Sequence, residues 1–382
     1  MNCIELNADW DPRPEYELSD RERDSNFAQR GSKIYRNPSL RVTERPRPEP
    51  AADEVLIRVR YAGICGSDLS MVTEDSEGYM HYSAYIDLPS IPGHEFSGVV
   101  AETGSDVTEF DSGDLVTSEV TEYCGSCGMC RRSLFLQCDR FDEIGFTRPG
   151  AFAEYVAVPE KLVWSLDPLR RAYDDEDSLL RAGATVEPTT ISFFGLYVRA
   201  GGIRPGETVV FHGGGPIGLT GVALAVAGGA RAVLVEPIET RRTLARRLGC
   251  DHVLAPDDDV RGTILDLTEG RGADVHVEAA GAPAETYETI QETLGPDCSI
   301  LQLGIGSDKP RIDLRGLQSK QAQLLGSQGH TGNRTYPLVI QAIANRAIEP
   351  EPMITAEYPL SDIDTAVEAA VERTEGKILL VP

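Results

Sequence analysis

Residues 55 to 61, "VLIRVRY", alternate apolar and polar side chains, as a strand with one buried face does. "FSGVVAETG" (96–104) and "DLVTSEV" (114–120) repeat the signal between glycines and acidic turns, so the first 185 residues read as mainly β. From about residue 207 the pattern changes. "ETVVFH" (207–212), "RAVLVE" (231–236), "ADVHVEA" (273–279) and "CSILQLG" (298–304) are short apolar runs separated by helical stretches. One of those stretches, "ETRRTLARRLG" (239–249), carries its arginines where a helix C-terminal half accommodates cations. Strand alternating with helix predicts a parallel, doubly wound sheet, hence an α/β chain with a mainly β part ahead of it.

After about residue 331 this pattern gives way to "PLVIQAIAN" (337–345), "DIDTAVEAAVE" (362–372) and "KILLVP" (377–382), which lack an evident core of their own and are expected to return to the first domain. The Pro/Arg/Glu stretch "TERPRPEPAADE" (43–54) reads as a linker, and no internal repeat is present. "IGLTGVALAVAGGA" (217–230) is too short and too rich in glycine for a membrane span, and predicts a buried helix. The N-terminus has no basic start followed by an apolar stretch, which points to a protein kept in the cytoplasm and away from membranes.

The 382 residues can build two to three domains. Sixty-one acidic against 36 basic residues give a net charge of −25, and only five of the basic residues are lysines. So anionic a surface resists nucleic acid and anionic membranes, and suits a saline cytoplasm that screens its self-repulsion; a halophilic source is expected.

Chemistry enters first at "VVFHGGGPIGLTG" (209–221), where Gly213, Gly215 and Gly218 form G-x-G-x-x-G after a strand and at the mouth of a helix. A tight turn, a backbone free of side chains and unpaired helix N–H groups together receive a pyrophosphate, with Ile217 inside the motif. Alone the motif is weak. Glu236, eighteen residues beyond Gly218 at the end of the next strand, strengthens it: a carboxylate there accepts hydrogen bonds from an adenosine ribose diol and repels a 2′-phosphate. NAD is therefore favoured over NADP, although Arg241 or Arg242 could turn toward a phosphate.

Eight cysteines in a reducing compartment argue against a disulfide framework, and four of them, Cys124, Cys127, Cys130 and Cys138, crowd into fifteen residues of "YCGSCGMCRRSLFLQC". Such spacing closes a tetrahedron of thiolates round Zn²⁺ and leaves no position for substrate, so the reading is a structural zinc. A redox pair and an iron–sulfur cluster are the competing readings. Cys65 by itself reads as a small buried side chain in a Gly-Ser-Asp turn.

Taken in order, "GICGSD" (63–68), "PGHEFSGVV" (92–100), the four-cysteine lobe, "GAFAEYV" (150–156), "VEP" (186–188) and "GGGPIG" (213–218) resemble the zinc-dependent medium-chain alcohol and polyol dehydrogenases, from about residue 55 to the C-terminus. The long N-terminal segment, "SEGYMHYSAY" (76–85) and "LLGSQGHTG" (324–332) look most like a branch acting on inositol ketones. The resemblance implies a GroES-like catalytic domain over residues 1–188 with its zinc lobe at about 119–140, a Rossmann NAD-binding domain over 189–331, and a return over 332–382. It also implies two zinc ions per chain, a homo-oligomer (dimer or tetramer) and a small polyol or sugar substrate.

Under this resemblance Cys65, His94 and an acid are catalytic zinc ligands, with Glu95 and Glu187 as the two carboxylates between which the sequence does not choose. A mixed thiolate, imidazole and carboxylate set keeps one position for an alcohol oxygen. Asp68 matches the carboxylate that orients the ligand histidine, and Ser67 the hydroxyl that takes the substrate proton. Many relatives carry a histidine two residues after that aspartate as the next relay. Here the position is Ser70, so protons would leave through the ribose hydroxyls, through water held by Glu187 or Glu95, or through His81. The implied activity is hydride transfer between NAD and a secondary alcohol of a polyol, cyclitol or sugar. A simple alcohol or threonine-type dehydrogenase and a non-catalytic nucleotide-binding relative are the alternatives.

Overall fold

The apolar alternation at 55–61 lies within a ten-residue strand, Glu54–Gly63, that organises the first sheet. In the computed structural model, which describes residues 1–306, 309–330 and 332–382, this strand pairs antiparallel with Glu95–Thr103, Tyr155–Pro159 and Lys377–Val381. Leu115–Ser118 and Val163–Ser165 extend the sheet on one side and Ile354–Pro359 on the other, for seven strands in all. The inward positions converge on Ile57, Val59, Phe96, Val116, Phe152 and Leu380, each buried. Burying one such side chain contributes about 1.5–3 kcal/mol, so alternation suffices to fix which face of each strand turns inward. A long antiparallel ribbon, Asn2–Trp10 against Tyr35–Glu44, forms from the N-terminal segment, and Trp10 packs edge-on against Tyr35.

The later runs form a six-stranded sheet in which every neighbouring pair is parallel. Its order is His252–Leu254, Arg231–Val235, Thr208–His212, Ala273–Glu278, Leu294–Gln302 and Gln323–Gly326. Counting its strands along the chain, this is 3-2-1-4-5-6, the doubly wound order whose reversal point lies beside the first strand. Val210, Val233 and Ile264 fill one cluster of its core, and Ile290, Leu294 and Ile300 another. The glycine-rich apolar stretch forms the helix Pro216–Ala227, buried almost throughout as its composition predicts.

The chain makes two compact units: residues 1–187 with 356–372 and 378–382, and residues 188–355 with 373–377. The segment 332–355 belongs to the second unit, so the chain passes back to the first at Ala356 rather than near 332. The reason lies in the helix Thr335–Ala344, which buries Tyr336, Val339, Ile340 and Ile343. No helix among the described residues is long and apolar enough to cross a membrane.

Candidate active site and dinucleotide site

Strand pairing assembles the first site. Gly63, at the end of its strand, stands opposite Glu95, the first residue of the neighbouring strand, so Cys65 two residues beyond Gly63 arrives beside His94 and Glu95. Gly93 makes the turn into that strand: its φ is +94°, and a Cβ there would lie 2.3 Å from the Phe152 ring. One potential ligand atom from each of Cys65, His94 and Glu95 lies within 4.8 Å of the other two. Glu187, buried in the first turn of the helix Val186–Phe193, is not part of that group, although its charge is felt at His94.

Asp68 ties the cysteine and the histidine together. One carboxylate oxygen accepts the Cys65 backbone N–H at 2.8 Å, and the other stands 3.6 Å from His94 Nδ1. That leaves His94 Nε2, 3.4 Å from Ser67 Oγ, to face the Cys65 and Glu95 side. Burial by itself would lower the pKa of His94, but Asp68, Cys65 and Glu187 outweigh it and raise it well above the usual value. An anionic, dehydrated pocket of this kind is one that a divalent cation neutralises, and thiolate, imidazole and carboxylate within bonding reach of a common centre fit zinc.

Two parts of the relay question are answered by geometry. Ser70 Oγ donates to the Gly66 carbonyl at 3.0 Å, a bond back along its own helix. His81 is exposed, and its Nδ1 lies 3.0 Å from Thr73 Oγ1, just beyond the far end of the helix Gly66–Val72 from Ser67. Neither side chain hydrogen-bonds to Ser67 among the described residues.

The four-cysteine lobe brings its sulfurs together without bonding them to one another. Cys124–Cys130 and Cys127–Cys138 are each separated by 3.9 Å, far beyond a disulfide and close to the ~3.8 Å edge that Zn–S bonds of about 2.3 Å impose on a tetrahedron. Backbone N–H groups point at the sulfurs, from Cys127 to Cys124 Sγ at 3.4 Å and from Arg140 to Cys138 Sγ at 3.3 Å. The N–H groups of Ser126 and Cys127 hold the Cys124 thiol down at about 5. Burial and the neighbouring sulfurs push the Cys130 thiol up to about 12, and four sulfurs crowded this closely suit a structural metal that takes them as thiolates.

In the second unit the strand Thr208–His212 ends at Gly213, and the helix Pro216–Ala227 begins with Gly215 as its cap and Pro216 and Ile217 in its first turn. Gly218 is required by packing: a Cβ there would sit 1.9 Å from the Gly213 carbonyl oxygen. Glu236 is buried at the end of Arg231–Val235 and turns back onto the loop, accepting the Gly214 N–H at 2.6 Å and the Ile238 N–H at 2.8 Å. Arg242 donates to the carbonyls of Glu236 and Pro237 and pairs with Glu239, while Arg241 Nε donates to the Glu375 carbonyl at 3.0 Å. Both guanidinium groups are thereby anchored by the protein. Of "LLGSQGHTG", Thr331 lies outside the described residues; His330 is buried with its ring centroid 4.9 Å from that of Tyr336.

Sequence reasoning passed over one charged residue beside this chemistry. Glu143 pairs with Thr121 across a short two-stranded ribbon at the base of the cysteine lobe, and it feels the charges of His94 and Glu187. No local motif marks it, because its neighbours come from distant segments.

Known proteins place the chain. Residues 51–168 match the alcohol dehydrogenase GroES-like domain, and residues 216–345 match the zinc-binding dehydrogenase domain. Scyllo-inosose 3-dehydrogenase of Thermotoga maritima is 40% identical over 90% of either chain. L-threonine 3-dehydrogenase of Pyrococcus horikoshii is 32% identical over 87% of this chain and 92% of its own. A solved Thermotoga maritima structure, provisionally named an alcohol dehydrogenase, superposes with a TM-score of 0.95 at 37% identity, covering all of both chains. A zinc-binding dehydrogenase of Sinorhizobium meliloti, also provisionally named and bound to NADP, superposes at 0.76 with 27% identity over 94% of this chain and 98% of that one. With a GroES-like domain, a doubly wound dinucleotide fold and relatives of this identity along nearly its whole length, the chain belongs to the zinc-dependent medium-chain alcohol and polyol dehydrogenases.

Proposed function

We propose that this protein is an NAD-linked dehydrogenase acting on a secondary hydroxyl of a cyclitol or related polyol, with Cys65, His94 and Glu95 as the ligands of a catalytic zinc. The convergence of these three side chains within 4.8 Å, aligned by Asp68, is the observation that carries the reading. Zinc, when bound, supplies the positive charge that lowers the pKa of an alcohol oxygen, and NAD accepts the hydride. The protein's part is to hold and to transfer. Asp68 fixes the His94 ring so that Nε2 points toward the metal position, and Ser67 Oγ beside it is placed to take the proton of the substrate hydroxyl. Glu187, outside the three-ligand group but electrically close to His94, would hold a water at the edge of the site and so give the proton a way out that bypasses Ser70, whose hydroxyl is spent on the Gly66 carbonyl. Cys124, Cys127, Cys130 and Cys138 would hold a second, structural zinc. Glu236 selects NAD by accepting the ribose diol, its carboxylate already oriented by the Gly214 and Ile238 N–H groups.

The likeness to scyllo-inosose 3-dehydrogenase over 90% of the chain supports the cyclitol class. Threonine oxidation is the second reading, supported by the threonine dehydrogenase relatives. The deciding measurement is NADH or NADPH formation by the zinc-loaded protein on myo-inositol, sorbitol, glucose and threonine, with zinc quantified. NAD-linked turnover of the cyclitol above threonine is expected. Turnover of threonine alone overturns the substrate class, and a zinc-replete protein inert on every substrate overturns the enzymatic reading.

A further inference from the structure

The parallel sheet ends in a buried hydrogen-bonded clasp. Glu278 and Gln302 are paired residues at the carboxyl ends of neighbouring strands, Ala273–Glu278 and Leu294–Gln302. Gln302 Nε2 donates to Glu278 Oε2 at 2.7 Å and to the Gly304 carbonyl at 2.8 Å, while Gln302 Oε1 accepts the hydroxyl of buried Tyr287 at 2.8 Å. Both amide protons and the amide oxygen are thereby used. Glu278 Oε1 accepts the N–H groups of Ala280 and Ala282 at 3.1 and 3.3 Å. The Glu278 side chain is fully buried, and among the described residues no lysine or arginine pairs with it. A carboxyl enclosed in this way is held by neutral donors that each belong to a turn or to Gln302.

The clasp fastens two turns together, one following each strand. The N–H groups of Leu303 and Gly304 donate to the Glu278 carbonyl at 2.9 and 2.8 Å. A Cβ on Gly304 would lie 2.3 Å from the Gly281 nitrogen and 2.5 Å from Glu278 Oε2, so the two backbones meet with no room for a side chain. The Ala279 N–H donates to the His212 carbonyl at 2.9 Å, tying the first turn to the strand that leads into Gly213. Above the buried clasp the turns are open: Ala280 and Gly306 are exposed, and Ile305 is 76% exposed. Ligands of a doubly wound sheet lie in this position, outside the carboxyl ends of its strands.

Strand order decides which half of a dinucleotide these turns meet. Glu236 follows Arg231–Val235, which lies on one side of Thr208–His212, and the two strands that end in Glu278 and Gln302 lie on the other. With the adenosine ribose at Glu236 and the pyrophosphate at the start of the helix Pro216–Ala227, the nicotinamide nucleotide extends across the reversal point over Glu278 and Gln302. We propose that Glu278, acting through Gln302 and Tyr287, is a positioning residue that holds the turns 279–282 and 303–306 in the shape that receives the nicotinamide half of the cofactor. The assignment rests on the dinucleotide reading above and deepens it, and it does not depend on the substrate class. Being fully buried, Glu278 acts only through the turns it holds. Turns already ordered need not be ordered when the cofactor binds, so loosening the clasp weakens the nicotinamide half selectively.

The test compares, by calorimetry on the zinc-loaded, full-length protein, the affinities for NADH and for ADP-ribose, which keeps the adenosine and pyrophosphate and lacks the nicotinamide. NADPH and 2′-phospho-ADP-ribose replace this pair where the wild type prefers the phosphorylated cofactor. Glu278→Gln sets an amide NH2 against that of Gln302 and should weaken NADH about tenfold while changing ADP-ribose by less than about twofold. The fluorescence enhancement of bound NADH should fall with it. Tyr287→Phe removes one hydroxyl and leaves every contact of the turns, and it should shift the same ratio by about two- to threefold. A Glu278→Gln protein that fails to fold leaves the decision to Tyr287→Phe. Equal weakening of both ligands, or wild-type affinity for both, overturns the role of Glu278 and leaves the dinucleotide reading standing. A wild-type protein that binds neither NADH nor NADPH overturns that reading, and the role of the clasp with it.

Discussion

Asp68 Oδ1 stands 3.6 Å from His94 Nδ1, while the opposite oxygen of the same carboxylate holds the Cys65 backbone N–H at 2.8 Å. One acid thus positions two of the proposed zinc ligands, which lie 29 residues apart in sequence. Replacing it by alanine releases both. Asp68→Ala is expected to lower affinity for the catalytic zinc by roughly ten- to a hundredfold, with activity following. Metal retained after stepwise chelation, compared with wild type, checks this; indistinguishable retention would remove Asp68 from the site.

The sulfur tetrahedron makes a separate prediction, because it shares no residue with the Cys65 group. Cys130→Ser should reduce zinc from about two equivalents per chain to about one and lower thermal stability, while the remaining metal still supports some hydride transfer. Metal analysis together with a melting curve measures both. Loss of all zinc and all turnover in this variant would contradict two independent sites.

Glu236 accepts the Gly214 and Ile238 N–H groups with its two carboxylate oxygens, and under the NAD reading proposed above its negative charge opposes a 2′-phosphate. Glu236→Gln keeps the shape and removes the charge. The expected result is a KM for NAD raised about tenfold with NADP penalised less than before, so the NAD/NADP ratio of kcat/KM falls. A ratio that stays at the wild-type value would assign cofactor choice elsewhere, Arg241 and Arg242 being the first places to look.

In the parallel sheet, His212 Nε2 and His276 Nδ1 lie 3.1 Å apart, both rings buried. Burial lowers both pKa values, His212 well below its usual value and His276 to about 4. Both rings are neutral in the folded chain and take up protons readily, near 6.5, only when it unfolds. Their contribution is therefore complete above about pH 6.5 and is lost progressively as pH falls toward 4, by up to ~1.4 kcal/mol per unit for each proton. Urea midpoints between pH 7.5 and 4.5 should drop more steeply for wild type than for His276→Gln. Parallel slopes would mean the pair does not couple stability to acid.

What the sequence by itself determined are the features whose partners lie within a few residues. The glycines at 213, 215 and 218 and the cysteines at 124, 127, 130 and 138 act through a turn or a loop, where spacing along the chain is already spacing in space. The strands at 55–61 and 209–212 are legible for the same reason, since one buried face imposes a two-residue period. Tertiary structure decided the rest. Only the register of Gly63 against Glu95 puts Cys65 beside His94, and only the fold shows that Glu95, and not Glu187, joins them in one group of potential ligands. The burial of Tyr336, Val339, Ile340 and Ile343 likewise keeps 332–355 with the second unit. Glu143 is a further instance: in the string "FDEIGF" it is one acid among 61, and it feels the charges of His94 and Glu187 only because distant segments converge around it. Local chemistry is written in the order of residues, but dehydration and electrostatic neighbourhood depend on which distant segments share a core, and that is settled by the fold as a whole.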